Sequence, residues 1–328
     1  MKQYILFGAG EIGRCALSFL GKERVVCFCD NSPHDRNETI NGVRVISADK
    51  LKDFADANTR ILITTTKPQN IIDISKQLCA MDLQFSFYED AEKEILIEES
   101  LEYGKLNKRR SLDYDESKNY LIPTDRYQEA GTISSYFWQD LWAAKLIHEN
   151  RVEIHYDIGS RLDGFIAHLL SFGQKVRMVD IRPLSSKIPG LDFKMEDATN
   201  LNGIEDNSIE SLSALCSLEH FGLGRYGDPI DPEACFKAFH SIQKKLKKGG
   251  NLYISVPIGK EHLEYNAHRV FSPRTIIEEF EEMELVEFSS CCKEEYEEKV
   301  SLEKYENWTE YGGDRFGLFH FLKRGNDA

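Results

Sequence analysis

Short apolar runs alternate with amphipathic stretches over the first part of the chain. The runs with the length of buried strands are Tyr4–Phe7, Arg24–Cys29, Arg60–Thr64 and Phe85–Tyr88. Helical patterns cover Ile12–Leu20 and begin again near Gln69. This alternation is typical of an open parallel sheet with crossover helices. We therefore expect residues 1–95 to form a small α/β domain.

The next segment, residues 96–130, loses this periodicity. Charges crowd it, including a basic triplet at residues 108–110 that acidic neighbours flank. A short basic run of this kind is typical of a solvated face rather than of a nucleic-acid contact. The pattern predicts a partly helical connector between two domains.

A second series of strands and helices occupies residues 131–328. It begins with an aromatic-rich helix over Ser135–Ile147. Five strands are predicted next, at Glu153–Ile158, Lys175–Ile181, Asp192–Met195, Ile209–Cys216 and Asn251–Val256. The main helical patterns between them are Phe165–Phe172 and Pro232–Leu246. A long acidic loop without a full crossover helix joins the last two apolar runs, which predicts an antiparallel pair, Leu285–Cys292 and Phe316–Leu322.

Composition narrows the class of ligand. The chain has 328 residues, 41% of them hydrophobic, and a formal net charge of −14, which excludes a bulk nucleic-acid binder and favours small-molecule ligands. No apolar run reaches the length of a membrane span, and the first residues lead directly into a strand pattern. The eight cysteines lack zinc-type spacing and are typical of reduced thiols. We expect a cytoplasmic enzyme without a membrane span.

The first strand leads into a glycine loop. Gly8-Ala9-Gly10-Glu11-Ile12-Gly13 fits the GxGxxG pattern, in which glycines allow close backbone approach and the helix amides attract phosphate. Asp30 ends the next strand, where a carboxylate accepts hydrogen bonds from ribose hydroxyls. These features predict a nucleotide site formed by Gly8, Gly10, Glu11, Ile12, Gly13 and Asp30. A glycine turn kept only for packing explains the pattern nearly as well.

This region resembles a known class of small domains. The stretch Ile5 to Gly13, Asp30-Asn31 and Ile40 to Ile46 resemble the Rossmann-like domains of bacterial sugar-modifying enzymes. The resemblance covers about 90 residues and is specific for the fold rather than for the ligand.

Three aspartates end successive strands in the second series. Asp157 stands in the loop Asp157-Ile158-Gly159-Ser160-Arg161, Asp180 ends the next strand, and Asp197 ends the third. Because ligands of open α/β sheets lie beyond the carboxyl ends of the strands, we expect the three carboxylates to meet in one crevice. An acidic crevice suits a cationic cofactor better than a pyrophosphate.

The constellation and the terminal antiparallel strands resemble the seven-stranded S-adenosylmethionine-dependent methyltransferases. More narrowly, the motifs FWQDLWAA (137–144), DIGSR (157–161), SLEHFGLGRYGDP (217–229) and NAHRVF (266–271) resemble an uncharacterised methyltransferase-like family that is often associated with surface-polysaccharide biosynthesis. The resemblance covers roughly residues 130–325. It implies two Rossmann-like domains, the second with a seven-stranded sheet and an antiparallel terminal strand.

The resemblance also implies roles on S-adenosylmethionine. Asp157 supports the loop or the cofactor's amino group, Asp180 binds the ribose and Asp197 binds the adenine amino group. The predicted cofactor-binding residues are Asp157, Gly159, Ser160, Gly164, Asp180, Ile181, Asp197, Ala198 and Trp138. One feature departs from the family pattern, because Ser160-Arg161 replaces part of the glycine run and a bulky Arg161 narrows such a site.

Methyl transfer to a hydroxyl needs a positioned nucleophile and usually a base. His220 follows the fourth strand and His268 follows the fifth, so both are candidates, and Asp228 is placed to orient one of them or to bind a sugar hydroxyl. A divalent metal held by side chains of Glu219, His220, His262, Glu264 and His268 is the competing account. We favour a base without a metal, since no HExxH motif is present.

The preferred function is therefore a methyltransferase acting on a sugar or nucleotide-sugar hydroxyl, with a nucleotide part or a docking role for the first domain. A nicotinamide-dependent oxidoreductase centred on Gly8–Gly13 is the second hypothesis, although no Tyr-x-x-x-Lys follows at reductase spacing. A non-catalytic nucleotide-binding protein is the third. A homo-oligomer is compatible with each of them.

Overall fold

The computed structural model describes residues 2–32, 39–122, 131–293, 295–306 and 314–325. The chain divides into two compact units, Met1–Thr132 and Ile133–Ala328. Part of the predicted connector, residues 123–130, lies outside the described residues.

The first unit is a six-stranded sheet with helices. Its elements are β1 (Gln3–Phe7), α1 (Glu11–Leu20), β2 (Val25–Asp30), β3 (Thr39–Ile40), β4 (Val43–Ser47), α2 (Leu51–Phe54), β5 (Thr59–Ile63), α3 (Pro68–Ala80), β6 (Phe85–Phe87) and α4 (Tyr88–Leu106). The strand order is β3-β4-β2-β1-β5-β6. All neighbours pair in parallel except β3 and β4. The sheet is therefore Rossmann-like, as the alternating pattern predicts.

Helix α4 joins the predicted first domain to the predicted partly helical connector. It runs without a break across residue 95, where the first domain was expected to give way to the connector. Its buried residues, Tyr88, Ala91, Glu92 and Ile95, all lie in the first two turns. The remaining turns bury no side chain, so they carry no hydrophobic periodicity from which a helix can be predicted.

The second unit contains a larger sheet. Its elements are α5 (Ser135–Glu149), β7 (Ile154–Ile158), α6 (Ala167–Ser171), β8 (Lys175–Asp180), β9 (Leu191–Met195), β10 (Ile209–Leu215), α7 (Ala234–Lys245), β11 (Leu246–Pro257), β12 (His262–Glu264), β13 (His268–Val270), α8 (Pro273–Glu279), β14 (Met283–Cys291), β15 (Tyr296–Glu297), α9 (Glu303–Glu306) and β16 (Phe316–Lys323). A π-helical turn at Leu162–Ile166 precedes α6. The order is β15-β14-β16-β11-β10-β7-β8-β9, with β12 and β13 as a separate hairpin.

The strand pairing confirms most of the expected topology. Strands β7 to β11 are parallel, whereas β16 pairs antiparallel with both β11 and β14. The sheet has eight strands rather than the predicted seven, because the two-residue strand β15 adds an edge beside β14. A strand this short has too few residues to show an alternating pattern. The prediction of two Rossmann-like sheets is thus confirmed and the strand count is corrected.

The chain order of the strands defines a switch point in the second sheet. From β7 the chain proceeds to β8 and β9 on one side, and then returns to β10 and β11 on the other. The resulting switch point lies between β7 and β10, and ligands of open α/β sheets bind at such a point. Two apolar clusters cover the faces of this sheet, one around Phe239 and Phe319 and one around Phe165 and Tyr253.

Candidate functional site

Two adjoining cavities lie at the switch point. The larger, of about 540 Å³, contacts the loop after β7 and helix α5, and the smaller, of about 320 Å³, contacts the ends of β8 and β9. The residues that line both cavities are Gly159, Asp180, Arg182, Cys216, His220 and Tyr226. The two cavities therefore form one divided crevice where the sequence predicts the cofactor.

Asp180 is the acidic group at the centre of this crevice. Its side chain is only 9% exposed and pairs with Arg182, whose Nε and Nη2 lie 3.0 and 2.6 Å from the two carboxylate oxygens. The guanidinium of Arg182 also lies 4.4 Å from the ring centre of Tyr226. Asp180, which the sequence predicts to bind the ribose, thus lies in the crevice, where its carboxylate is paired with Arg182.

The other residues that the sequence predicts near the nucleoside line the smaller cavity. Ile181, Asp197 and Ala198 all line it. The side chain of Asp197 accepts a hydrogen bond of 2.8 Å from the Thr199 amide, which orients the carboxylate in the turn after β9. Asp180 and Asp197 therefore meet at one cavity, as the strand-end argument predicts.

Asp157 takes a different position. It is fully buried and accepts hydrogen bonds from the Ser160 amide, the Ser160 hydroxyl and Ser213, so it does not line either cavity. Burial raises its pKa to about 6, against the lowering effect of these hydrogen bonds. Two roles are predicted for Asp157, support of the loop and contact with the cofactor's amino group. Its buried position fits the first role and not the second.

The loop that Asp157 supports passes close to β10. Gly159 has φ +71°, and a Cβ atom there would lie 3.1 Å from Cβ of Ser217. Both the left-handed backbone and this close approach require glycine. Gly159 and Ser160 line the larger cavity, whereas Gly164 lies behind it, against the carboxylate of Asp140.

Arg161 does not fill the crevice. Its half-exposed guanidinium pairs with Asp163 at 3.1 Å and lies 5.6 Å from the ring centre of Tyr136. The concern that this residue narrows the site is therefore not realised, since the larger cavity extends beside it.

Trp138 lies away from the cavities, contrary to expectation. Its indole stacks on Tyr296, with ring centres 5.6 Å apart, and does not line either cavity. The rotation of α5 instead directs Tyr136, Gln139 and Asp140 into the larger cavity.

His220 lies on the boundary between the two cavities. Its Nδ1 lies 2.7 Å from the carbonyl oxygen of Ala267 and 3.3 Å from Nη1 of Arg225. The shorter contact is to an oxygen that only accepts, so it favours a proton on Nδ1 and leaves Nε2 as the basic atom. Burial lowers the pKa of His220 to about 4, so the ring is neutral at physiological pH. A neutral imidazole with a fixed tautomer can accept a proton at Nε2.

The neighbouring Glu219 is almost completely buried. Its Oε1 lies 3.5 Å from Nε2 of His220, and its Oε2 has no hydrogen-bond partner. Burial raises the pKa of Glu219 to about 8, so the carboxyl is protonated at neutral pH. The pair is therefore uncharged when the site operates near pH 7.

The other two catalytic candidates, His268 and Asp228, are placed differently from His220. His268 is 3.3 Å from Glu264 and does not line either cavity, and its ring centre is 6.4 Å from that of His220. Asp228 lines the smaller cavity, but its two oxygens accept hydrogen bonds from the amides of Gly222 and Tyr226. Asp228 thus holds the loop that carries Tyr226 and does not orient either histidine.

Within the described ranges, no three His, Cys, Asp or Glu side chains are grouped closely enough to hold a metal ion. The described helices also include none that is long and apolar enough to cross a bilayer.

The sequence analysis does not predict several polar residues of the larger cavity, Asp163 among them. Gln139 and Asp140 were read only as part of a motif, and Arg182 and Arg225 were not considered as site residues. The available signal was the spacing of Arg182, two residues after a strand-end aspartate, where a side chain turns back toward the crevice.

In the first unit, the side chain of Asp30 binds backbone amides at the glycine loop and after β2. Asp30 Oδ2 accepts a 2.8 Å hydrogen bond from the Ala9 amide, and Oδ1 accepts one from the Ser32 amide. A Cβ atom on Gly13 would lie 2.0 Å from the carbonyl oxygen of Gly8, so this glycine is needed for helix–strand packing. Both observations give the glycine pattern a structural role.

Comparisons with known proteins give one match to a family model, over part of the chain, and several similar solved structures. A family model described as a Caenorhabditis protein of unknown function, DUF268, matches residues 188–311. The curated proteins give no match. Among solved structures, a Burkholderia thailandensis 1,6-didemethyltoxoflavin-N1-methyltransferase with bound S-adenosylhomocysteine has 18% identity and a TM-score of 0.40, covering 57% of this chain and 80% of that one.

Two further similar structures are S-adenosylmethionine-dependent methyltransferases. That from Clostridium acetobutylicum has 12% identity and a TM-score of 0.39 over 59% of this chain and 93% of its own. That from Archaeoglobus fulgidus has 16% identity and a TM-score of 0.39 over 56% of this chain and 94% of its own. Similarity at this low level does not establish an activity for this chain.

Proposed function

We propose that the protein is an S-adenosylmethionine-dependent methyltransferase whose acceptor is the hydroxyl of a sugar or nucleotide sugar, of the kind used in surface-polysaccharide synthesis. The observation that carries the proposal is the meeting of Asp180 and Asp197 at one cavity on the switch point of the sheet. Carboxylates at these strand ends suit a nucleoside that carries a positive charge and no phosphate.

The residues present fit such a cofactor. Ser217 is buried, lines the smaller cavity and has a hydroxyl without a hydrogen-bond partner, so a polar group of a ligand can satisfy it. Gly159 brings the backbone to the edge of the crevice. Asp180 would hold the ribose, and Asp197 with Ile181 would hold the adenine.

The larger cavity has groups for the amino-acid end of the cofactor. Asp140 is buried there, hydrogen bonded to Gln139, and its pKa is raised by burial. An ammonium group beside it would form an ion pair with the carboxylate that is shielded from water. When bound, the cofactor supplies an electrophilic methyl group on a sulfonium.

His220 is the group best placed to take the proton of the acceptor hydroxyl. It lies where the two cavities join, and the Ala267 carbonyl keeps Nε2 free to accept. The proton moves from the hydroxyl oxygen to Nε2 of His220. The neighbouring Glu219 is neutral, so Nε2 does not form an ion pair with it. Tyr136 also lines the larger cavity and offers a ring face on which a sugar can pack.

Calorimetric titration with S-adenosylhomocysteine tests the proposal. We expect binding to the wild type and a loss of at least tenfold in affinity for Asp180→Asn, because an amide accepts fewer hydrogen bonds from ribose hydroxyls. Asp192→Asn is the matched control, since Asp192 also forms a strand-end ion pair, with Arg177, outside both cavities. No heat with wild-type protein at millimolar ligand would refute the proposal.

The oxidoreductase alternative is less favoured because no Tyr-x-x-x-Lys follows the glycine loop of the first unit at reductase spacing. A fluorescence titration with NADH separates the two functions. Enhancement that disappears in Gly10→Val would support the alternative.

A further inference from the structure

At the rim of the larger cavity, the side chains of two arginines lie close to the ring of one tyrosine. The guanidinium carbon of Arg182 lies 4.4 Å from the ring centre of Tyr226, and that of Arg225 lies 5.2 Å from the same centre. The ring is exposed to the cavity and the edge of His220 packs against it. Two cations therefore converge beside the proposed base in a protein whose net charge is −14.

Arg225 has no carboxylate partner among the residues that the structure describes. Its Nη1 donates to the Ala267 carbonyl at 2.9 Å, which leaves most of its five N–H donors for another acceptor. Arg161, by contrast, is already paired with Asp163. The uncompensated charge at this rim is thus that of Arg225.

Arg182 is held by the proposed ribose ligand. Both oxygens of Asp180 are engaged by its guanidinium. Ribose hydroxyls that bind Asp180 compete for the same oxygens, so they release the guanidinium while the ring of Tyr226 still supports it. Cofactor binding would then leave two unpaired guanidinium groups beside the acceptor space.

We infer that this rim, Arg182, Arg225 and Tyr226, binds a phosphate group of the methyl acceptor, and that cofactor binding prepares it by freeing Arg182. The inference rests on the proposed function and specifies its acceptor as a phosphorylated one. Guanidinium groups present a planar fork of donors that matches phosphate oxygens, and two of them balance the double negative charge of a phosphate. The acceptor hydroxyl would lie toward His220, the next residue inward from Tyr226.

Calorimetry with inorganic pyrophosphate tests the inference. We expect pyrophosphate to bind wild-type protein saturated with S-adenosylhomocysteine, and to bind at least tenfold more weakly without it. Arg225→Gln should lower the pyrophosphate affinity at least tenfold and leave S-adenosylhomocysteine binding unchanged. Arg182→Gln should also weaken pyrophosphate binding, yet strengthen S-adenosylhomocysteine binding, because Asp180 loses its competitor.

Controls separate this site from other anion sites. Arg177→Gln removes an arginine outside both cavities and should change neither affinity. Acetate in place of pyrophosphate distinguishes a carboxylate site, and equally tight acetate binding would overturn the assignment to phosphate. 5′-Methylthioadenosine lacks the cofactor's carboxylate. If Arg225→Gln weakened S-adenosylhomocysteine but not methylthioadenosine, Arg225 would serve the cofactor and the inference would be wrong.

The two proposals fail in different ways. Pyrophosphate binding that Arg225→Gln does not reduce, together with normal S-adenosylhomocysteine binding, overturns the acceptor site alone. Absent S-adenosylhomocysteine binding overturns the proposed function. Pyrophosphate binding that is equal with and without S-adenosylhomocysteine overturns the coupling through Arg182.

Discussion

Glu219 offers a quantitative test of the electrostatics around the proposed base. Burial raises its pKa from 4.5 to about 8, so the folded protein keeps a proton that the unfolded chain has lost. Stability falls with rising pH while the native state binds more protons than the unfolded state, at about 1.4 kcal/mol per pH unit. Between pH 5 and pH 8 the wild type should therefore lose roughly 4 kcal/mol relative to Glu219→Gln, which has no proton to lose.

The assay is urea unfolding of both proteins at pH 5, 6, 7 and 8, followed by tryptophan fluorescence. All three tryptophans lie beyond residue 132, so the signal reports the second unit. Other titrating groups cancel in the difference between the two proteins. Glu153→Gln, at a surface position with its side chain 82% exposed, is the control and should run parallel to the wild type. Parallel curves for Glu219→Gln as well would refute the assignment of a buried, neutral carboxyl beside His220.

Two matched pairs of variants test the packing of each unit. Gly13→Ala should destabilise the first unit by several kcal/mol, because its Cβ would lie 2.0 Å from a backbone oxygen. Gly10→Ala places its Cβ in open space and should change the stability little. Thermal unfolding measures both effects. Ser213→Ala leaves both His155 and Asp157 short of a hydrogen bond, so urea unfolding should show a loss of about 2–4 kcal/mol. Ser211→Ala removes only the bond to His155 and should cost about half as much; equal costs would contradict the network.

The strand-end positions were predictable from sequence because they follow from chain order alone. The apolar runs identify parallel strands, and parallel strands place Asp180 and Asp197 at one edge of the sheet. The loop at Gly159 follows from the same reasoning. These features depend on local periodicity and connectivity, which a single sequence contains.

The remaining features depend on side-chain direction, which periodicity does not determine. Asp157, the penultimate residue of β7, points inward, where Ser160 and Ser213 satisfy its carboxylate. The rotation of α5 sends Trp138 to Tyr296 instead of to the crevice. The pairing of Arg182 with Asp180 needs the path of the loop after β8. The contacts with Ser213 and Tyr296 are tertiary, and tertiary contacts override what the local pattern suggests.

The proposed function requires S-adenosylmethionine to bind in the crevice between β7 and β10. A crystal structure of the protein with S-adenosylhomocysteine would show where the ligand lies. We expect ribose hydroxyls on Asp180, with Arg182 displaced from that carboxylate, and the adenine beside Asp197. Density for the ligand at the glycine loop of the first unit, or a crevice that keeps the Asp180–Arg182 pair and contains no ligand at saturating concentration, would contradict it.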